Sequence, residues 1–309
     1  MNDNILVSIN CIAYNHEKYI AQAIESFLMQ ITDFKYEILI HDDASTDNTA
    51  KIIKEYERKY PEIIKVIYQK KNQYSQGKKV SLFNVKRARG KYIAVCEGDD
   101  YWTDRHKLQK QVNYMENNPE CGLCFHTVSI FDDKSQKIIG KIQPYQKDTI
   151  STTEDIILGD GGFMGTNSII YRKKNMQEIP KFYLISPVGD YPLQILHSTK
   201  KYAYFFKDNM SIYRINTGTS WSNSNNSKEK QMKALIGIVN MLKEFNKYSK
   251  EKYQNSISVI LKDMSYKILR YNLEVKILTK TECKKYYENL GLKEKIRIFR
   301  KKLKKILIS

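Results

Sequence analysis

The sequence predicts an α/β protein: a mostly parallel central sheet flanked by helices, followed by a basic helical extension. Three observations predict it. Hydrophobic periodicity alternates between strand-like and helix-like segments through the first third of the chain. Carboxylate-rich clusters stand directly behind the strand-like runs. Positive charge is concentrated at the far end, where Lys228–Ser309 carries 22 basic and 8 acidic residues of a chain whose net charge is +18.

Taken in order, "ILVSINCI" (Ile5–Ile12) reads as a strand. In "KYIAQAIESFLMQ", Ile20, Ala23, Ile24, Phe27 and Leu28 recur at helical spacing and mark an amphipathic helix. "YEILIH" (Tyr36–His41) is a second strand. "STDNTAKIIKEYERKYP" is a helix with Ser45 or Thr46 as its N-cap, closed by Pro61. "IKVIY" (Ile64–Tyr68) is a third strand, a helix follows near Ser81–Arg89, and "KYIAV" (Lys91–Val95) is a fourth strand. Strands alternating with helices imply βαβ units, and in such sheets ligands bind beyond the carboxyl ends of the strands. After "LCFHTVSIFDD" the pattern turns to shorter mixed strands and loops ("KIIGKI", "GDGGFMGTNSIIY", "YAYFFKDNMSIYR"). From about Ser227 it is lysine-rich and helical in period. The expected division is a domain over residues 1–226, with halves 1–130 and 131–226, and an extension over 227–309.

At 309 residues and 41% hydrophobic the chain can bury a substantial core, which argues against global disorder. No uncharged apolar run reaches the ~18–20 residues of a membrane-spanning helix, and the N-terminus lacks a basic, apolar leader pattern. Five scattered cysteines fit reduced thiols in a cytoplasmic protein. "CGLC" (Cys121–Cys124) has the spacing of half a zinc knuckle without a second half, and reads better as part of a strand.

The strand-end rule puts "AYN" (Ala13–Asn15), "DDAS" (Asp42–Ser45) and "EGDD" (Glu97–Asp100) on one rim. Ser45 and Asp47 read equally as helix-capping residues, whereas Asp43 could accept from a base N–H or a ribose hydroxyl. Neither G-x-G-x-x-G nor a P-loop occurs, which disfavours dinucleotide and P-loop chemistry. Three carboxylates within four residues, with Gly98 allowing a tight turn, suit a hard divalent cation, Mg2+ or Mn2+, completed by nucleotide phosphate oxygens.

Together, "VSINCIAYNHEKYIAQAIESFLMQ", "EILIHDDASTDNTAKII" and "GKYIAVCEGDDYW" resemble, in order and spacing, the N-terminal half of family 2 glycosyltransferases with the Rossmann-like GT-A fold. The resemblance is strong over residues 5–130 and looser over 160–222. It implies an inverting transfer of a sugar from a nucleotide-diphosphate donor, expected to be a UDP-sugar, to a hydroxyl of a glycan or lipid-linked glycan. It places Tyr14 by the base, where Asp43 accepts from it, with Ser45 alongside. Asp99 falls near the ribose and metal, and Asp100 is the principal metal ligand. Glu97 stands where the family's motif begins with Asp, and "CIAYN" lacks the family's Pro-Thr. Asp190, opening a helix in "SPVGDYPLQILHS", is implied as the catalytic base; without the resemblance it reads as an N-cap ahead of Pro192. Arg214 in "YRINTGTSWS" could meet the diphosphate or form a surface ion pair, and Asn216 replaces a frequent His. A sugar-phosphate nucleotidyltransferase is the alternative enzyme, but "IAYNHEKY" lacks the Gly-rich, basic loop it would need.

"KEKIRIFRKKLKKILIS" (Lys293–Ser309) puts Ile296, Phe299, Leu303, Ile306 and Leu307 on one helical face, among eight Lys and Arg and a single Glu. That pattern suits contact with an anionic membrane at its cytoplasmic face, or packing of the stripe on the protein. A non-catalytic protein binding nucleic acid or membrane through this basic tail is the second alternative; against nucleic acid, no aromatic stacking platform or nucleic-acid motif accompanies the charge.

Overall fold

The computed structural model describes residues 5–218 and 227–308, with side chains of the final helix as far as Lys302. Two compact units result. The expected boundary near residue 226 falls outside the described residues, as do Thr219–Ser222 of the "YRINTGTSWS" segment. One segment assigned by sequence to the first domain, Pro180–Val188, clusters with the helical unit instead.

The first unit is the α/β sheet. Its elements are β1 (Ile5–Ala13), α1 (Ile20–Leu28), β2 (Lys35–Asp42), α2 (Thr49–Lys59), β3 (Ile64–Tyr68), α3 (Ser81–Arg87), β4 (Tyr92–Val95), β5 (Tyr101–Trp102), α4 (Lys107–Asn117), β6 (Cys121–Asp132), β7 (Lys137–Ile142), β8 (Thr149–Ser151), α5 (Thr153–Leu158), β9 (Ile170–Arg172), α7 (Asp190–Ser198) and β10 (Tyr202–Ile215), with α6 (Lys181–Ile185) in the second unit. Strand order is β3-β2-β1-β4-β9-β6-β10-β5, with β7 on β6 and β8 on β10. β3, β2, β1 and β4 run parallel, as the βαβ pattern requires. Beyond β4 the sheet is mixed: β9 is antiparallel to both β4 and β6, while β6 and β10 are parallel.

The core follows from the periodicity. Ile20, Ala23, Ile24 and Phe27 of α1 are buried against Val7, Ile9 and Cys11 of β1, and Phe27 meets Trp102 edge-on at 4.9 Å. Asn84 locks α3 to the sheet, its Nδ2 donating to Asn10 Oδ1 and to the carbonyls of Cys11 and Leu39. β5 is tied in by Trp102 Nε1–H donating to the Asn167 carbonyl, and Asn167 in turn donates to that of Ile212. These bonds satisfy polar groups that burial would otherwise leave unpaired.

α2 begins later than expected. Ser45 and Thr46 do not cap it: the Asn15 N–H donates to Ser45 Oγ, and Asn15 Oδ1 accepts from Thr46 N–H. Asp47 Oδ1 accepts from Thr49 N–H at the helix start. The capping side chains are used to join two loops. "CGLC" lies in β6 with both thiols buried and unoxidised, their sulfurs 3.6 Å apart.

Lys107 is fully buried, its Nζ 4.1 Å from the Trp102 ring centroid and donating to Gln111 Oε1 at 2.8 Å. Burial pulls its pKa from 10.5 down to about 7, against the opposing pull of Cys96, Cys124 and Asp104. Between those values the unfolded chain holds more protons than the folded one, so this residue makes stability rise with pH by up to about 1.4 kcal/mol per unit. Denaturant unfolding of Lys107→Met should therefore show a stability advantage over wild type near pH 7 that shrinks steadily towards pH 10. A constant difference would mean that Lys107 does not titrate in that window.

The second unit is helical: α6, α8 (Lys228–Tyr248), α9 (Gln254–Val275), α10 (Lys280–Glu288) and α11 (Leu292–Ile308). Ser227 caps α8, and Thr279 with Glu282 forms a capping box on α10. Phe182 of α6 packs on Phe245 of α8 with ring centroids 5.1 Å apart, which is why the Pro180–Val188 segment belongs here. No helix of the described residues is long and apolar enough to cross a membrane.

Candidate active site

The three polar clusters meet at the carboxyl ends of β1, β2 and β4. Ala13 pairs with Asp42 in register, the Asp43 N–H donates to the Ala13 carbonyl, and the Gly98 N–H donates to the Ile12 carbonyl. Two loops are zipped together by side chains: the Asn15–Ser45 and Thr46–Asn15 bonds continue with His16 N–H to Thr49 Oγ1, Glu17 N–H to Asp47 Oδ2, and Asn48 N–H to Glu17 Oε2. Asn15 and Ala44 both take left-handed backbone conformations, φ 56° and 62°, to make the turn.

Asp43 is buried. Its Oδ1 accepts from Gln73 N–H at 2.8 Å and its Oδ2 from Tyr74 N–H at 3.0 Å, so it pins the loop after β3 to the rim. A carboxylate has about four acceptor positions, and those bonds leave capacity for a further donor. Asp42 beside it is also buried, with Oδ1 lacking a partner among the described residues, and burial raises its pKa despite bonds from Ser45. Tyr14, 38% exposed, follows the end of β1.

The "EGDD" turn is packed closely. A Cβ on Gly98 would lie 2.9 Å from both His16 Nδ1 and Ile20 Cδ1, so glycine here serves close approach. Gly98→Ala should cost about 1–3 kcal/mol of stability and lower nucleotide affinity, measured by thermal unfolding and titration; unchanged values for both would show that the turn is loose. Asp100 is buried, and its Oδ1 accepts from the Arg214 N–H at 2.7 Å, joining the turn to the end of β10. Asp99 Oδ2 lies 3.4 Å from the Thr217 hydroxyl and 3.8 Å from His16 Nε2. Glu97 is the carboxylate of this group that reaches solvent.

Arg214 does not form a surface ion pair. It is buried, its guanidinium donates to the Asp99 carbonyl and to Gln22 Oε1, and it lies 4.5 Å from the Tyr101 ring centroid and 5.1 Å from that of Tyr19. Arg214 is thus built into the frame that holds Asp99 and Asp100. Asn216 donates to Asp132 Oδ1 at 2.8 Å.

Asp190 is the first residue of α7, half-buried, with Oδ1 accepting from Tyr191 N–H at 2.7 Å. Its pKa is raised by burial, partly offset by that bond and by Lys79. Glu97 is likewise raised, first by the protein around it and then by the charges of Asp99 and Asp190; Asp100 is raised by burial and by Asp99. The Tyr213 phenol feels burial first and then Asp100, Glu97, Asp99 and Asp190 in turn. The charges of four carboxylates from two distant segments therefore all act on one phenol. Lys79 approaches from the loop that Asp43 pins, its pKa pulled down to about 8 by burial and held up by Asp190.

Sequence reasoning missed His16, Gln22, Lys79 and Tyr213. Lys79 sits among other lysines in "QGKKV", and Tyr213 lies more than 100 residues from Asp100, so neither carried a local signal. The donor set suits a hard cation: oxygen ligands only, whose charged forms oppose one another. Among the described residues no three His, Cys, Asp or Glu side chains converge tightly enough to hold an ion alone. Such an ion would need oxygens from a bound ligand.

The family model described as "Glycosyl transferase family 2" matches residues 8–179, more than half of the chain and all three rim clusters. The chain belongs to glycosyl transferase family 2. It is 35% identical over 228 residues to an uncharacterized protein of Mycobacterium tuberculosis, a match covering 72% of this chain and 63% of that relative's length. Among solved structures, this family 2 chain is similar to S. aureus TarS 1–349 in complex with UDP (TM-score 0.57, 16% identity, covering 96% of this chain and 89% of the other). It is also similar to the mannosyltransferase PcManGT from Pyrobaculum calidifontis, in complex with GDP-Man and Mn2+ (TM-score 0.57, 12% identity, covering 98% and 88%). Both share the GT-A fold expected from the sequence, a curled sheet with flanking helices.

Proposed function

We propose that this family 2 chain transfers a sugar from a nucleotide-diphosphate donor, a UDP-sugar, to an acceptor hydroxyl with inversion at the sugar. One observation carries the reading: the acidic turn Glu97–Asp100 is fastened at the strand ends of a family 2 fold. Asp100 accepts from the Arg214 N–H, the Gly98 N–H donates to the Ile12 carbonyl, and the charge of Asp190 acts on Glu97 there. Tyr14 and Asp43 would receive the base, the phenol ring by stacking and the carboxylate by accepting its N–H. Ser45 belongs to the same site by holding the Tyr14–Asn15 turn in place. Asp99 and Asp100, with Glu97 beside them, would hold a divalent cation, Mn2+ or Mg2+. When bound, it would supply positive charge to the departing diphosphate. Asp190 would take the proton from the acceptor hydroxyl as that oxygen attacks the anomeric carbon from the face opposite the leaving group. Burial raises its proton affinity, against the Tyr191 N–H and the Lys79 charge, which suits a general base. Arg214 acts as a positioning residue through the Asp99 carbonyl and the N–H it donates to Asp100. The acceptor is a glycan or a lipid-linked glycan, as in the assembly of cell-surface polysaccharide.

The test is calorimetric titration of UDP, with GDP in parallel, with and without Mn2+, on wild type and Asp99→Asn. The expected result is UDP binding that needs the cation and weakens at least about tenfold in the variant. A folded wild-type protein that binds neither nucleotide would sink the reading; preferential GDP binding would overturn the choice of uridine donor.

A further inference from the structure

The last helix has two faces, and its apolar stripe is on the one turned away from the rest of its unit. α11 docks through Ile298, 8% exposed and packed with Leu269 and Leu290, and through Glu294, whose Oε2 lies 3.2 Å from Lys262 Nζ. At about 100° per residue, these two positions lie on one side of the helix. Leu292, Ile296 and Phe299 lie on the other, 77%, 43% and 60% exposed. Packing of the stripe against the protein, one of the two readings open from sequence, does not occur at these three residues. Leu303, Ile306 and Leu307 continue the pattern beyond the described side chains.

Charge is arranged around the stripe. Lys293, Arg297 and Arg300 flank it on one side, and Lys295 and Lys302 on the other, while the helix's single carboxylate faces inward. Tyr287 of α10, 42% exposed, adjoins it, with Lys295 Nζ 5.2 Å from its ring centroid. An exposed apolar row bordered by cations on both sides matches a bilayer surface, where acyl chains meet anionic headgroups. A polyanion such as nucleic acid would engage the cations and leave the apolar row in water.

We propose that α11 lies in the surface of an anionic membrane, with Leu292, Ile296 and Phe299 among the acyl chains and the flanking Lys and Arg at the headgroups. The orientation would hold the chain on the anionic, cytoplasmic leaflet. The inference stands on this helix alone and does not depend on the sugar-transfer reading.

The test is co-sedimentation of the full chain with phosphatidylcholine vesicles and with vesicles containing phosphatidylglycerol. Wild type is compared with an Ile296→Ser/Phe299→Ser double variant, which spares Ile298 and should fold normally by circular dichroism. Binding to the anionic vesicles only, reduced about tenfold or more in the variant, is the expected result. Absence of wild-type binding to anionic vesicles would overturn the proposal. So would equal binding by the variant, which would make the contact purely electrostatic. A wild-type dimer that the variant dissociates, measured by light scattering, would also overturn it, because a second copy would then cover the stripe.

Discussion

Asp190→Asn should lower turnover by about 10²–10⁴-fold while leaving UDP affinity within roughly threefold of wild type. Asparagine keeps an oxygen for the Tyr191 N–H, so the start of α7 is preserved, but an amide cannot take the acceptor's proton. The substitution also removes a charge that acts on Glu97 and on Lys79. A modest gain in affinity is therefore compatible with the role, whereas lost affinity is not. Steady-state kinetics with a UDP-sugar, paired with calorimetry on UDP, separates the cases. Turnover near wild type would remove Asp190 from the chemistry. Loss of binding together with turnover would make it a donor-site residue.

Arg214→Ala should cost about 2–4 kcal/mol of stability and weaken nucleotide binding by more than tenfold. Truncation leaves the Asp99 carbonyl and Gln22 Oε1 without their charged donor, and empties the space between Tyr19 and Tyr101. The Asp99–Asp100 turn then loses its side-chain anchor to β10. Arg214→Lys should recover little, because an ammonium reproduces neither the forked donation nor the planar contact with the rings. Chemical denaturation and UDP titration of both variants measure the two effects. If Arg214→Ala lost affinity at unchanged stability, the guanidinium would be a direct ligand of the diphosphate, one of the two roles open from sequence.

The first four strands and the helices between them were legible because their signals are local. Alternation in "ILVSINCI" and the helical stripe from Ile20 to Leu28 each lie within one segment, and the segments recur in an order that admits one sheet topology. The mixed region from β5 to β10 was less legible. β9 is three residues long and lies between β4 and β6, far from both in sequence. The start of α2 was misjudged for a related reason: Ser45 and Thr46 have the chemistry of caps, but Asn15, 30 residues earlier, engages them. Pro180–Val188 falls within the first domain by sequence, whereas Phe182 finds its partner in Phe245.

By itself the sequence determined the class of fold, the rim on which Tyr14, Asp43, Ser45, Asp99 and Asp100 fall, and the amphipathic pattern of the last helix. Each depends on spacing within one element or on the rule that strand ends carry the site. Tertiary structure decided what spacing cannot encode. It made Arg214, which could have been a surface charge, the buried brace of the acidic turn. It brought Lys79 within the electrostatic reach of Asp190 across 110 intervening positions. It turned the row Leu292–Ile296–Phe299 outward while Ile298 docked. The physical reason is common to all three: a charge or an apolar face has many acceptable partners in the chain. Packing, with the desolvation cost of every unmet polar group, selects among them.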